Sequence, residues 1–211
     1  MSVREFRREI QWTLVVLVLA VLAAVALWPG GSGDIGSRAA PPGPERAAPP
    51  VDPALRTGLE PCPSPSPGGP ERLAGVTGTC LADGAPADVG AALAGRPALI
   101  NVWATWCAPC RTELPALQDY AHRPGAIPVL GVQVRSDEAD GLELLRSLGV
   151  RFPNVHDPEG AVRQALRVPN ALPASFVVTA EGEIRRIDPP EVFESGDAVD
   201  AAVRRTLGGR S

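Results

Sequence analysis

"NVWATWCAPCRTELP", residues 101–115, sets two cysteines two residues apart directly after an apolar run. The run begins earlier, as "RPALINVW" (96–103), a continuous apolar stretch of the kind expected for a strand buried on both faces. From Cys107 to about Arg123 the pattern becomes helical, with Pro115 inside as a predicted kink. Cys107 therefore falls at a strand-to-helix corner. Free N–H groups and the helix dipole stabilise a thiolate there, and cysteines so placed have pKa values lowered from about 8.5 into the range of roughly 3.5–7.5. The thiolate is the attacking species in disulfide exchange, so this placement favours redox chemistry. Pro109 restricts the turn between the sulfurs. Two other uses of the spacing stay in view: half of a zinc site, or an inert structural disulfide. Zinc usually requires four N/S ligands at recognisable spacing. Cys62 and Cys80 form no second pair of that kind, and His122 and His156 lie in no ligand pattern.

The segments downstream continue the alternation. "AIPVLGVQV" (126–134) is a second predicted buried strand, and "SDEADGLELLRSLG" (136–149) a helix capped by Ser136 and stopped at Gly149. A short helix near Glu159–Arg167 follows, then a hairpin in "ASFVVTAEGEIRRI" (174–187) turning at Glu181-Gly182. "SGDAVDAAVRRTLGG" (195–209) closes as an amphipathic helix with Gly208 as its cap. "GTCLADG" and a helix around Ala87–Ala94 precede the first strand. This β-α-β-α unit with a following hairpin and helix is the thioredoxin order: an α/β fold with a central mixed sheet flanked by helices.

The chain has 211 residues, 45% of them apolar, enough for one sizeable domain with attachments. Its formal net charge of −4 offers no basic field for nucleic acid. Arg4, Arg7 and Arg8 precede a run from Trp12 to Trp28 in which only Thr13 is polar. As a helix the run would span about 26 Å, near the lower limit for a membrane crossing. The indoles at its two ends and the arginines before it predict an anchor at 12–28, with 1–11 on the cytoplasmic side and the rest outside. A cleaved signal peptide is the alternative, since Ala24-Val25-Ala26 suits a small-residue cleavage site. Half of the 24 prolines lie between Pro29 and Pro70, so 29–70 is expected to be a semi-stiff extracytoplasmic spacer and 71–211 the folded redox domain.

"NVWATWCAPCRTELP" resembles the active-site segment of the TlpA/ResA-like family, membrane-anchored thioredoxin-fold disulfide reductases that include the CcmG/DsbE proteins of cytochrome c maturation. The resemblance covers roughly residues 73–207. It implies that Cys107 is the nucleophile and Cys110 the resolving cysteine. Glu113, one helical turn after Cys110, matches a family glutamate that takes part in proton handling, and a carboxylate within reach can accept the thiol's proton. Cytoplasmic thioredoxins carry a buried Asp where this chain has Asn101, which cannot titrate; Glu113 is then the better acceptor. "VPNALPASFVV" (168–178) resembles the family segment ending in a cis-proline, which makes Pro173 that residue and lets Leu172 offer its backbone to an extended substrate. Relatives carry Gly and Thr where this chain has Ala171 and Ala174, a departure that bears on substrate preference. Trp106 is expected to shield the thiolate and contact the partner, and Trp103 to be core.

Cys62 and Cys80, placed outside the thioredoxin unit, are expected to pair in an oxidising compartment. Their disulfide would close a loop of about 19 residues and contribute roughly 3 kcal/mol. The implied activity is a thiol–disulfide oxidoreductase in the cell membrane with its redox domain outside. It would reduce a disulfide-containing protein substrate, apocytochrome c among the candidates, with electrons from a membrane thiol protein. No bound cofactor is implied. The competing expectations are a disulfide-forming oxidant of the same fold, a non-catalytic binding or carrier module, and, with less support, a peroxiredoxin.

Overall fold

The computed structural model describes residues 17–19, 22 and 51–209. The expected anchor at 12–28, apart from Leu17–Leu19 and Leu22, the expected cytoplasmic stretch 1–11 and most of the spacer lie outside the described residues. Among the described residues no helix is long and apolar enough to cross a membrane.

Strand β3 (Ala98–Trp103) is buried at every position, as the unbroken apolar run requires. Its side chains alternate between two cores. Leu99 and Trp103 join the cluster on one face of the sheet, and Ala98, Ile100 and Val102 the cluster on the other. Around β3 the sheet has the order β2-β1-β5-β4-β3-β6-β7. Strands β4 (Val129–Val134) and β5 (Asn154–Asp157) run parallel to β3 in succession. Strand β6 (Ala174–Val178) pairs antiparallel with β3, and β7 (Ile184–Arg186) with β6. At the other side β1 (Thr77–Cys80) runs antiparallel to both β5 and β2 (Pro86–Asp88). The two outermost strands are three residues each.

Helices cover both faces. The Leu99 face carries α2 (Ala108–Ala121), α3 (Glu138–Ser147) and α5 (Gly196–Gly208). The other face carries α1 (Val89–Ala92) and α4 (Ala161–Leu166). Pro115 sits within α2 on its exposed side, where the backbone group that it leaves unpaired can meet water.

Four expectations need correction. Among the described residues the folded part reaches back past 71, to residue 51. Val51, Leu55 and Leu59 pack against the core, and Arg56 donates to Leu81 O at 2.9 Å and pairs with Glu138 at 2.8 Å. Those apolar residues recur every fourth position inside proline-rich sequence, and their burial outweighs the composition around them. Second, Cys80 is not outside the thioredoxin unit: it ends β1 and is buried in the sheet. Third, Ser136 does not cap α3. Asp137 occupies that position, while the Ser136 hydroxyl donates to Val134 O at 3.2 Å and accepts from Thr105 N–H at 3.4 Å. Fourth, Gly208 is the last residue of α5, and Gly209 is the cap.

Candidate active site

Cys107 is the N-cap of α2, four residues beyond the end of β3. Its sulfur is bonded to that of Cys110, with S–S 2.09 Å and Cα–Cα 5.3 Å. The Cys107 Sγ also accepts the Cys110 N–H at 3.2 Å, filling the role that an oxygen has in an ordinary cap. In this oxidised state Cys107 is 4% exposed and Cys110 is fully buried. Of the two sulfurs, only that of Cys107 stands at the helix terminus.

The backbone leading into the disulfide is held from several sides. Arg111, on the first turn of α2, reaches back with Nε and Nη2 to Thr105 O at 3.1 and 2.8 Å. Trp106 is 56% exposed, yet its indole N–H donates to Arg135 O at 2.9 Å. The Arg135 guanidinium lies 5.5 Å from the indole centroid, within cation–π range. Arg135 itself is in the left-handed region at φ 49. Trp106 is thus a fixed aromatic platform beside Cys107. Pro109 is exposed next to it. Trp103 is core, as expected, and donates its indole N–H to Asn154 Oδ1 at 2.9 Å.

Glu113 is completely buried below the disulfide, one turn further along α2. Its Oε2 accepts from Asn101 Nδ2 at 2.6 Å, and its Oε1 accepts the Phe193 N–H at 3.4 Å. Loss of hydration pushes its pKa up to about 7; the two donors hold it from rising further, and the negative charge of Glu191 adds a small push upward. An acid with that value shares its proton readily with groups titrating near neutrality.

The Leu172–Pro173 peptide is cis, and Asp188–Pro189 is a second cis bond, one that no sequence pattern announces. β6 starts at Ala174, paired with Val102 near the end of β3, so Pro173 and Cys107 lie at the same end of the sheet. Leu172 packs against the cluster that contains Cys107 and Cys110. At Pro173 a cleft of about 110 Å³ is lined by Ala171, Pro173, Ala174, Ser175, Ile187 and Glu191, among others.

Cys62 and Cys80 are bonded, with S–S 2.11 Å and Cα–Cα 6.0 Å. β1 stands three strand steps from β3, about 14 Å at ordinary strand spacing. This disulfide is no part of the Cys107 site.

No motif in the sequence ties Arg135, Arg111 or the Phe193 N–H to the site, and Ser136, expected only as a helix cap, meets it through the Thr105 N–H. Arg111 is one turn from Cys107 and could have been suspected; the others reach the site only through the tertiary fold.

A profile of the AhpC/TSA family matches residues 79–187, which hold the disulfide, Glu113 and Pro173. The chain belongs to the AhpC/TSA family. Named relatives of this AhpC/TSA protein include the thiol-disulfide oxidoreductase ResA of Oceanobacillus iheyensis, 30% identical over 45% of this chain and 50% of that one. The soluble secreted antigen MPT53 of Mycobacterium tuberculosis is 32% identical over 63% of this chain and 75% of its own. The thiol:disulfide interchange protein DsbE of Pseudomonas fluorescens is 36% identical over 44% and 51%. The chain thus spans about half the length of ResA and DsbE and three quarters of MPT53. Among solved structures, a secreted M. tuberculosis disulfide oxidoreductase homologous to E. coli DsbE aligns at TM-score 0.56 with 32% identity, over 63% of this chain and 96% of that one. M. tuberculosis DsbF, solved in mixed oxidised and reduced forms, aligns at TM-score 0.56 with 25% identity over 65% and 98%.

Proposed function

We propose that the protein is an extracytoplasmic thiol–disulfide oxidoreductase that reduces disulfides in other proteins. The observation that carries the proposal is the vertical arrangement at the α2 terminus: one sulfur at the cap, its bonded partner buried, and a carboxyl group with pKa about 7 directly behind. Relatives named as thiol–disulfide exchange proteins support the chemistry. Relatives named as secreted support the location. Residues 12–28 serve as the single-pass anchor, and the proline-rich stretch after it as the spacer.

In the reduced protein the Cys107 thiolate attacks one sulfur of the partner's disulfide. A Cys107–partner mixed disulfide forms, and the partner's other sulfur leaves as a thiolate. Cys110 then passes its proton to Glu113 and attacks the Cys107 sulfur. The Cys107–Cys110 bond closes and the second partner thiolate departs, able to take the proton held by Glu113. Two electrons have moved from the protein to the partner, and a membrane thiol protein must restore them. Trp106, Pro109 and the Leu172–Pro173 backbone form the face on which the partner docks, and Cys62–Cys80 remains closed as a staple. The resemblance to CcmG/DsbE makes apocytochrome c the first substrate to test.

A Cys110→Ser variant expressed in the native host should accumulate mixed disulfides through Cys107, each releasing an identifiable partner on reduction. No trapped partner, together with full function of a Cys107→Ser variant, would leave a binding module as the better account. A reduction potential near that of thioredoxin, about −270 mV, would fit a reductant, whereas one near −120 mV would make the protein an oxidant. Rapid peroxide consumption by the reduced protein would point instead to a peroxidase.

A further inference from the structure

Asn101 occupies the centre of β3 with no exposure to solvent, yet only half of its amide is used. Nδ2 donates twice, to Glu113 Oε2 at 2.6 Å and to Ser175 Oγ at 3.0 Å. Among the described residues Oδ1 has no hydrogen-bond partner. Buried carbonyl oxygens are seldom left in this condition. Ser175 stands directly opposite Asn101 in the β3–β6 ladder, two residues after Pro173.

The observed orientation suits an ionised Glu113, because both carboxylate oxygens face N–H donors. It does not suit the acid. A proton placed on Oε2 toward Asn101 would meet the amide N–H head on. Turning the amide over brings Oδ1 to that place, where it accepts the carboxyl proton. The Ser175 hydroxyl both donates and accepts, so it can serve either orientation by rotating its own hydrogen. Each arrangement then makes two bonds from the amide and leaves one of its ends unpartnered, so neither is favoured by count.

We propose that Asn101 is a positioning residue for the exchange reaction, its amide turning over as Glu113 gains and loses its proton, with Ser175 as the pivot that accommodates both orientations. This rests on the exchange chemistry above. The acceptor would then be met by a matched partner both before and after it takes the Cys110 proton. A fixed donor would resist protonation, and an apolar neighbour would resist ionisation. Among the described residues no other charge competes closely for this role. β3 and β6 present only the uncharged Asn101 and Ser175. The loop before α5 brings the Phe193 N–H and Glu191, and Glu191 is paired with Arg205 at 2.5 Å. α2 itself contributes the Cys107–Cys110 pair. Arg186, lining the cleft beyond Ser175, pairs with Asp188.

The test is a titration of the oxidised full chain by NMR, following the Glu113 carboxyl carbon and the Asn101 side-chain amide. In the wild type the amide signals should move with the same midpoint as the carboxyl. Asn101→Leu should raise that midpoint by about one unit, since donation to the carboxylate is lost, whereas Ser175→Ala should leave it in place, because the hydroxyl serves both orientations alike. Amide signals that ignore the Glu113 transition, or a midpoint that shifts in Ser175→Ala, would overturn the proposal. Should Asn101→Leu fail to fold, Ser175→Ala and the wild-type amide signals decide alone. Failure here is separable from failure of the reductase reading: trapping by Cys110→Ser would persist in the first case and be absent in the second.

Discussion

Replacing Glu113 with glutamine should change the pH dependence of stability in a defined direction. In the folded protein the carboxyl titrates at about 7 against an ordinary value of 4.5, because burial disfavours its charge. Between those values the folded state holds a proton that the unfolded state has released, so stability falls as pH rises through the interval. A gap of about 2.5 units, at roughly 1.4 kcal/mol each, amounts to about 3 kcal/mol lost in full once pH exceeds 7. The Glu113→Gln side chain keeps the volume and a hydrogen-bonding terminus but cannot ionise. Urea unfolding of the oxidised proteins at pH 5 and pH 8, both disulfides closed, measures the difference. The wild type should lose about 2 to 3 kcal/mol relative to the variant between the two conditions, since a little of the loss has already occurred by pH 5. His122 and His156 are common to both proteins and cancel. The same substitution should slow the closing of Cys110 onto Cys107 near neutral pH, so a gain in stability would accompany a loss of rate. Parallel stability curves from pH 5 to 8 would refute the placement of a buried, easily protonated carboxyl behind the disulfide.

Three other outcomes follow from the fold. Cys62→Ala with Cys80→Ala should cost roughly 3 kcal/mol in urea unfolding, yet leave exchange with a small disulfide unchanged; loss of exchange would make that pair a relay. Gly131→Ala would drive a methyl into Asn154 Oδ1, displace the Trp103 indole's acceptor and cost about 3 kcal/mol or more, visible as altered tryptophan fluorescence. Arg56→Ala should cost roughly 2 kcal/mol and expose residues 51–60 to protease, because Glu138 and Leu81 O lose their shared partner; unchanged cleavage would argue that the apolar contacts alone hold that segment.

What the sequence made legible was local. The β3 run, the α2 and α5 periodicities and the Cys107 corner are contiguous patterns, and a two-residue spacing brings the sulfurs together without help from the rest of the fold. Strand β5 is hidden in the sequence because Asn154, His156 and Asp157 make three of its four residues polar. Its polar groups are satisfied by distant or later residues: Asn154 by Trp103, and Asp157 by the N–H groups of Val162 and Arg163. Arg135 gave no signal, since an arginine at positive φ is set by the loop around it and not by its own preference. The attachment of residues 51–60 was hidden by proline content, and the meeting of Asn101 with Ser175 depends on a register between strands more than 70 positions apart.

The outer margins of the sheet bear on a hazard particular to proteins that handle other proteins' loose chains. β2 opens with Pro86 and ends after three residues, and β7 is as short and carries two arginines. Such borders give a visiting polypeptide almost no row of free amides to zip onto. On the proposed function a client would engage through sulfur and the Leu172 backbone, and these two short borders would not reward it for staying once the bond has been handed over. If the protein turns over such clients, the brevity of two strands would let it do so without seeding fibres.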